Sequence, residues 1–447
     1  MAVETAPVEA TEQKVGVEGV DRGALAALRE EGGPAIKPEL LSPETKVDTF
    51  DLVGVTWPEV VGERTEDVQV QVRVRESGGW TEWEALDVED GGPTPGSEEY
   101  ERSRKIVATE PLLTLGADAV QVRLDSPDGQ APSGVELALV DGGQGAALAG
   151  REALDADPSA SASASVMASA STSSTRPTII SRAQWGADES MARTASQNRT
   201  VTAMTIHHTA SSNAYTSAAG AMAQLRSIYS YHTKTQGWSD IGYNFVVDKF
   251  GNIYEGRRGS ITSNPVGAHA SGFNTSTMGI SALGNYEAAR PSSAMVESIS
   301  KVVAWRLGGQ GLDVTGRTTL TSAGGSSRFR KGTQATLPRV FGHGDVGYTA
   351  CPGVYLNGQL STIRAKAAAY VKSTSAPAPP PAPAPAPPAP APVPVPVGVP
   401  LVGDWDGSGG AQLGWYRDGW VSLRMGPQQT VSYRYGRAGD VPVVGDW

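Results

Sequence analysis

The sequence predicts a multidomain protein with an N-terminal antiparallel β-sandwich, a central α/β domain, and an incomplete β-propeller-like repeat at its C-terminal end. Three observations carry that reading. Two low-complexity stretches, PSASASASVMASASTSST and APAPPPAPAPAPPAPAPVPVPVGVP, divide the 447 residues. The formal charge of −10 conceals a split: residues 1–175 hold 33 acidic and 13 basic side chains, the remainder 14 and 24. All five histidines and the single cysteine lie between positions 207 and 351.

Residues 1–47 read as a flexible N-terminal extension. MAVETAPVEATEQKVGVEG is acidic and lacks the apolar core of a signal peptide. Over 48–157 the segments VTWPEVV, DVQVQVRVRES, GWTEWEALD, AVQVRLDS and GVELALVDG are short, β-branched and partly alternating. Gly, Pro and Asp separate them, which favours an antiparallel sandwich of unassigned role. This part carries no histidine or cysteine and no tight polar cluster. Residues 158–175 are small and polar and are expected to be a flexible tether. A Pro/Ala-rich spacer succeeds the central domain at 374–398, favouring polyproline II.

Between the linkers, residues 176–373 alternate strand-like and helix-like segments. VTAMTIHHTA reads as a buried strand and SAAGAMAQLRSIYSYHTKTQ as a helix. IGYNFVVDKFGNIYEGR reads as a hairpin turning at Lys249–Asn252. MGISALGNY gives another strand; SSAMVESISKVVAWRLG and GQLSTIRAKAAAYVKS give two more helices. Such mixed elements indicate one α/β domain, a mixed sheet with flanking helices.

At the C-terminal end VPLVGDW (399–405) recurs as VPVVGDW (441–447), an offset typical of propeller blades. Residues 399–447 are therefore expected to be one repeat and the opening of the next, a truncated FG-GAP-like array. Asp404 and Asp406 begin a D-x-D run, but Ser408 and Gln412 stand where more carboxylates would serve calcium.

Composition narrows the function classes. No run of about 18 apolar residues exists, so no transmembrane segment is expected. The cationic central domain suits an anionic polymer, yet nothing resembles a nucleic-acid-binding motif. A monomer is expected. The linkers suggest an extracellular or cell-wall-associated protein, although the visible N-terminus shows no signal peptide.

A catalytic zinc site uses three imidazole, thiolate or carboxylate ligands and leaves one position open. Successive strand residues face opposite sides. Met204, Ile206 and His208 therefore share one face, and Thr205, His207 and Thr209 the other. The apolar set should face the core, which makes His207 the better metal ligand and His208 a packing residue. His343 and Cys351 lie in VFGHGDVGYTACPGVYL, whose glycines and Pro352 enforce a loop. That loop can bring both back onto one ion.

The ordered segments SRAQWGA, TIHHTA, GWSDIGYNFVVDKFGNIYEGR, GAHASGFNTSTMGISALGNY and HGDVGYTACPG resemble the peptidoglycan recognition protein family. They also resemble the zinc-dependent N-acetylmuramoyl-L-alanine amidases of the bacteriophage lysozyme type. The resemblance spans about 177–373. It implies zinc held by His207, His343 and Cys351, with Tyr243 and Thr349 as catalytic helpers. It places His269, Asn274, Arg257 and His208 at the groove that binds muramyl peptide, with peptidoglycan as substrate. The implied reaction is hydrolysis of the amide bond between N-acetylmuramic acid and L-alanine. The alternative is a non-catalytic recognition module, a branch that loses the zinc cysteine. A metal-free thiol hydrolase using Cys351 and His343 is a further alternative. The family's YEGR-G-W stretch appears here as YEGRRGSITSNPVGAH, without the tryptophan.

Overall fold

The computed structural model describes residues 7–30, 37–59, 68–126, 129–143, 175–375, 398–405, 407–425 and 429–443. Residues 158–174 and 376–397, where flexible linkers are expected, lie outside that set. The chain divides into two compact units, at Ala376/Pro377.

The first unit opens with an antiparallel network of nine strands. These are β1 (Thr11–Val17), β2 (Leu40–Leu41), β3 (Thr45–Pro58), β4 (Gln69–Glu76), β5 (Gly79–Trp80), β6 (Glu84–Leu86), β7 (Ile106–Ala108), β8 (Leu112–Asp125) and β9 (Val135–Asp141). Helices α1 (Arg22–Glu30) and α2 (Glu98–Arg102) interrupt them. The main order is β1-β9-β3-β8-β4-β5. Irregularities in the β3–β8 register between Lys46 and Leu52 bend the long strands. Val53, Leu137 and Leu139 then share one core with Val72, Val120 and Val122.

Two expectations are corrected here. Within the expected N-terminal extension, Thr11–Val17 are not free, because β1 pairs with β9 in register from Thr11↔Asp141 to Val17↔Val135. TEQKVGV is hard to recognise as a strand because an edge strand with one solvated face needs few apolar residues. The sheet is also not set apart from the α/β domain. Its period-2 alternation is apolar on both faces: Leu137 and Leu139 point into the sheet's own core, while Ala138 and Val140 join Leu52 and Leu113 on the other side. That second set packs on Ala221, Leu225, Ile228 and Tyr231 of the α/β domain. The Leu, Ile and Val side chains among them each contribute about 1.5–3 kcal/mol when fully buried. Gly54 lets Tyr231 approach β3, for a Cβ there would overlap the tyrosine ring. The Tyr231 hydroxyl donates to the Thr109 carbonyl at 3.0 Å. Arg226 adds a 2.6 Å bond to each of the Gly142 and Gly143 carbonyls.

The α/β domain holds α3 (Arg182–Trp185), β10 (Ala203–His208), α4 (Ala218–Ser230), β11 (Phe245–Val247), β12 (Ile253–Glu255), β13 (Thr277–Ala282), α5 (Ser293–Arg306), β14 (Arg317–Thr321), β15 (Gln334–Pro338), β16 (Val340–Gly342), α6 (Val354–Asn357) and α7 (Leu360–Ser375). The sheet order is β12-β11-β13-β10-β16, parallel except for the β11–β12 hairpin. Helix α4 starts where the Ser217 hydroxyl accepts from the Gly220 N–H, and Ser292 caps α5 the same way at Met295. Met204 and Ile206 of β10 enter the core beneath α5 and α7, leaving Thr205 and His207 on the opposite face. The β14–β15 hairpin adds an unexpected small cluster around Phe273, Leu337 and Phe341.

The second unit is one antiparallel sheet: β17 (Val399–Gly403), β18 (Gln412–Arg417), β19 (Trp420–Arg424) and β20 (Thr430–Arg434). Its core is Leu401, Tyr416, Val421 and Leu423. The four strands make a single sheet, and no propeller is formed among the described residues. Asp404 closes the β17–β18 loop by accepting from the Ser408 and Gly409 N–H groups. Asp406 lies outside the described residues.

Candidate metal centre

The site grows from two adjacent parallel strands. β10 ends in His207–His208, and β16 ends in Gly342, immediately before His343. The loop after β16 folds back on itself: the Gly347 and Val346 N–H groups donate to the His343 carbonyl, and the Gly344 N–H donates to the Cys351 carbonyl at 2.7 Å. The Asp345 carboxylate accepts from the Gly342 N–H at 3.0 Å, pinning the loop's start. This returns Cys351 to β10, where its Sγ accepts from the His208 N–H at 3.4 Å.

His207, His343 and Cys351 thus converge. One donor atom from each lies within 4.8 Å of the other two, and all three side chains are buried. No other metal-capable cluster of three such residues exists among the described residues. Burial first, then the neighbouring imidazoles, holds His207 far below the usual histidine range. Burial likewise lowers His343 to about 3. Both rings are therefore neutral at physiological pH, the state a metal requires. Burial pushes the Cys351 thiol well up, and the nearby Glu110, Asp90 and Asp87 carboxylates add to that. Two neutral imidazoles and one thiol that needs a cation to ionise fit a zinc ion with a fourth position left open.

The other expected residues are dispersed around this centre. Tyr243 is 6% exposed, its ring 5.3 Å from that of His207. Thr349 sits at the loop, its hydroxyl accepting from the Cys351 N–H at 3.1 Å. His269 lies against the cluster, with Nδ1 3.0 Å from His207 Nε2. Its own Nε2 is buried without a hydrogen-bond partner. Asn274 organises the loop beside it, Oδ1 accepting from the His269 and Ala270 N–H groups at 2.9 Å. His208 points away: its Nδ1 accepts from the Tyr286 N–H at 3.1 Å, as expected of a packing residue rather than a groove residue. Arg257 is fully buried and not free to receive a ligand. Its Nη1 and Nη2 each donate to the Glu99 carboxylate at 2.9 Å, and its Nε donates to the Ile241 carbonyl.

Glu99 belongs to the N-terminal sheet domain, as do Glu89, Asp90 and Glu110 near the site. Burial raises Glu89 to about 8 and Glu110 well above the usual range. None of the four is legible as a site residue in the sequence: the acidic run EALDVEDGGPTPGSEEYER, which holds three of them, reads as solvated surface, and Glu110 stands alone in IVATEP. The only signal is the opposed charge of the two domains.

Two segments of the chain match described families. Residues 197–354 match the family described as N-acetylmuramoyl-L-alanine amidase. Residues 16–147 match an N-terminal galactose-binding domain-like family. Peptidoglycan-recognition protein SC2 of Drosophila melanogaster is 34% identical over 185 residues, 41% of this chain and 85% of that protein. The human N-acetylmuramoyl-L-alanine amidase is 37% identical over 124 residues, 28% of this chain and 21% of that protein. The solved N-acetylmuramoyl-L-alanine amidase LysC from Clostridium intestinale is 25% identical, with a TM-score of 0.30, and matches over 42% of this chain and 97% of its own. With a galactose-binding-like domain ahead of it, the central domain and its buried His/His/Cys cluster make this chain a member of the peptidoglycan recognition protein and N-acetylmuramoyl-L-alanine amidase family.

Proposed function

We propose that this protein is a zinc-dependent N-acetylmuramoyl-L-alanine amidase that hydrolyses the amide bond between N-acetylmuramic acid and L-alanine, acting outside the cell or at the cell wall. The observation that carries this reading is the convergence of His207, His343 and Cys351 within 4.8 Å. Zinc bound there would supply Lewis acidity and an acidified water as nucleophile near neutral pH. The protein's own residues do the remaining work. Tyr243, beside His207, would donate its hydroxyl proton in a hydrogen bond to the oxygen that gains charge as the amide carbonyl is attacked. Burial raises its pKa well above the ordinary phenol value, so it stays a donor at working pH. Thr349, whose hydroxyl accepts from the Cys351 N–H, would pass a proton toward the leaving amine. Asp240 and Asp345 are already committed, the first to Arg182 at 3.0 Å and the second to the Gly342 N–H, which leaves neither as a base.

Retention of Cys351 beside both histidines favours cleavage over recognition alone. Its Sγ lies 3.7 Å from His207 Nδ1, but a buried thiol raised far above its ordinary pKa is poorly suited to a metal-free nucleophilic role. The test is digestion of soluble muramyl peptide, read by mass spectrometry, with chelator and with zinc restored. Release of a peptide with a free L-alanine amine, lost on chelation and regained with Zn²⁺, is expected. Cleavage indifferent to chelator would contradict the zinc reading.

A further inference from the structure

Two of the side chains expected to line the substrate groove, Arg257 and Asn274, are occupied by another part of the same chain. Residues 87–105 connect β6 to β7 in the N-terminal sheet domain and run over the site. Glu99 gives both carboxylate oxygens to Arg257 and also accepts from the Ser239 N–H at 2.9 Å. Asn274 Nδ2 donates to the Gly92 carbonyl at 2.8 Å, and the Gly92 N–H donates to the Ala268 carbonyl at 3.3 Å. Gln236 Nε2 donates to Glu89 at 2.5 Å. Asp90 is also buried, 7% exposed, its carboxyl facing the Ser326 side chain, the Tyr348 N–H and Arg328. A Cβ on Gly347 would overlap that carboxylate while lying 3.1 Å from His343 Nε2. Asp90 therefore reaches the edge of the metal cluster.

This contact differs in kind from the rest of the domain boundary. Around Tyr231 the two domains join mainly through apolar side chains, with hydrogen bonds from Tyr231 and Arg226 to backbone carbonyls. Over the site they join through a bidentate carboxylate–guanidinium pair, an amide–carbonyl bond and a buried acid. These are the groups an acidic peptide would offer. We propose that residues 89–99 are an intramolecular plug: they fill the groove where a carboxylate-bearing muramyl peptide would lie, and the chain is latent until they are displaced. The proposal rests on the amidase reading only for the identity of the competing ligand. The plug itself rests on the contacts.

Two measurements on the full chain test it. In zinc-stripped protein, Cys351 should react with a small thiol reagent about tenfold faster in Glu99→Gln, and faster still in Glu99→Arg, because loss of the Arg257 pair favours local opening. Unchanged reactivity in variants that still unfold cooperatively at the parental temperature overturns the plug. Hydrogen exchange of the unmodified chain provides the second arm and needs no variant to fold. Adding a soluble muramyl tripeptide should speed exchange in residues 89–99; slower exchange, meaning the segment clamps the peptide, also overturns the plug. A thiol exposed by Glu99→Arg in a protein that neither binds nor cuts muramyl peptide would leave the plug standing and refute the amidase reading.

Discussion

Two antiparallel sheets accompany the α/β domain, and they bury their residues in opposite ways. In β9, Leu137, Ala138, Leu139 and Val140 are at most 1% exposed, so the strand is covered on both faces. In the C-terminal sheet Val402, Leu413 and Trp420 are 57%, 52% and 50% exposed. The first sheet has a core of its own on one side and the α/β domain on the other. The second, taken alone, has one small core and an open apolar face. The same class of secondary structure is thus an integral wall of the first unit in one case and a minimal sheet in the other.

The strongest way to break this comparison is to remove residues 1–143. The exposed face of α4 with Tyr231 should then lower the unfolding temperature of the α/β domain by more than about 10 °C, or render it insoluble. Parental stability in calorimetry would show the first sheet to be as separable as its sequence suggests. At single residues, Val140→Ala should cost about 1–2.5 kcal/mol in denaturant unfolding, against at most about 0.5 kcal/mol for Val402→Ala.

Placing the chemistry wholly on the α/β side sharpens the contrast. Purified protein should carry about one zinc, and Cys351→Ser and His207→Ala should each lose it by elemental analysis. Full occupancy in both variants would remove the ligand assignment. Tyr243→Phe should keep the zinc and lower turnover about 10²-fold, since its hydrogen bond matters mainly in the transition state.

A smaller effect should come from the boundary itself. Burial raises Glu89 to about 8, with Gln236 and the neighbouring Asp90 as lesser influences; Glu110 and His232 lie close by. A carboxyl with a raised folded-state pKa is stabilised in its protonated form. Its contribution is therefore full below the unfolded value near 4.5 and is lost as pH rises toward 8. Glu89→Gln should remove that loss, stabilising the protein at pH 8 relative to the parent by an amount on the order of 1–3 kcal/mol, with little difference at pH 4. Parallel pH profiles for parent and variant would show that Glu89 ionises freely.

How much of the molecule is legible in the sequence depends on each residue's neighbours. The strand alternation at Met204–His208 separates His207 from the core because one face of β10 is strictly apolar. Helices α4, α5 and α7 are legible from their period, and the β11–β12 hairpin from its Lys249–Asn252 turn. The β14–β15 hairpin is not, since RTTLT and QATLP carry few apolar residues. The domain boundary is the larger omission. Ala138 and Val140 read as ordinary strand residues, and alternation cannot say that the second face meets a different domain. Glu99 and Arg257, 158 positions apart, carry no local sign of pairing. Only the opposed net charges point there.

The central claim is that the His207, His343 and Cys351 centre cuts muramyl peptide when its groove is free. The most direct measurement tracks release of the L-alanine amine by zinc-loaded full chain and by its Glu99→Arg variant, with and without chelator. The account predicts zinc-dependent release by both, faster in the variant. Absence of release from the folded, zinc-loaded variant would contradict it.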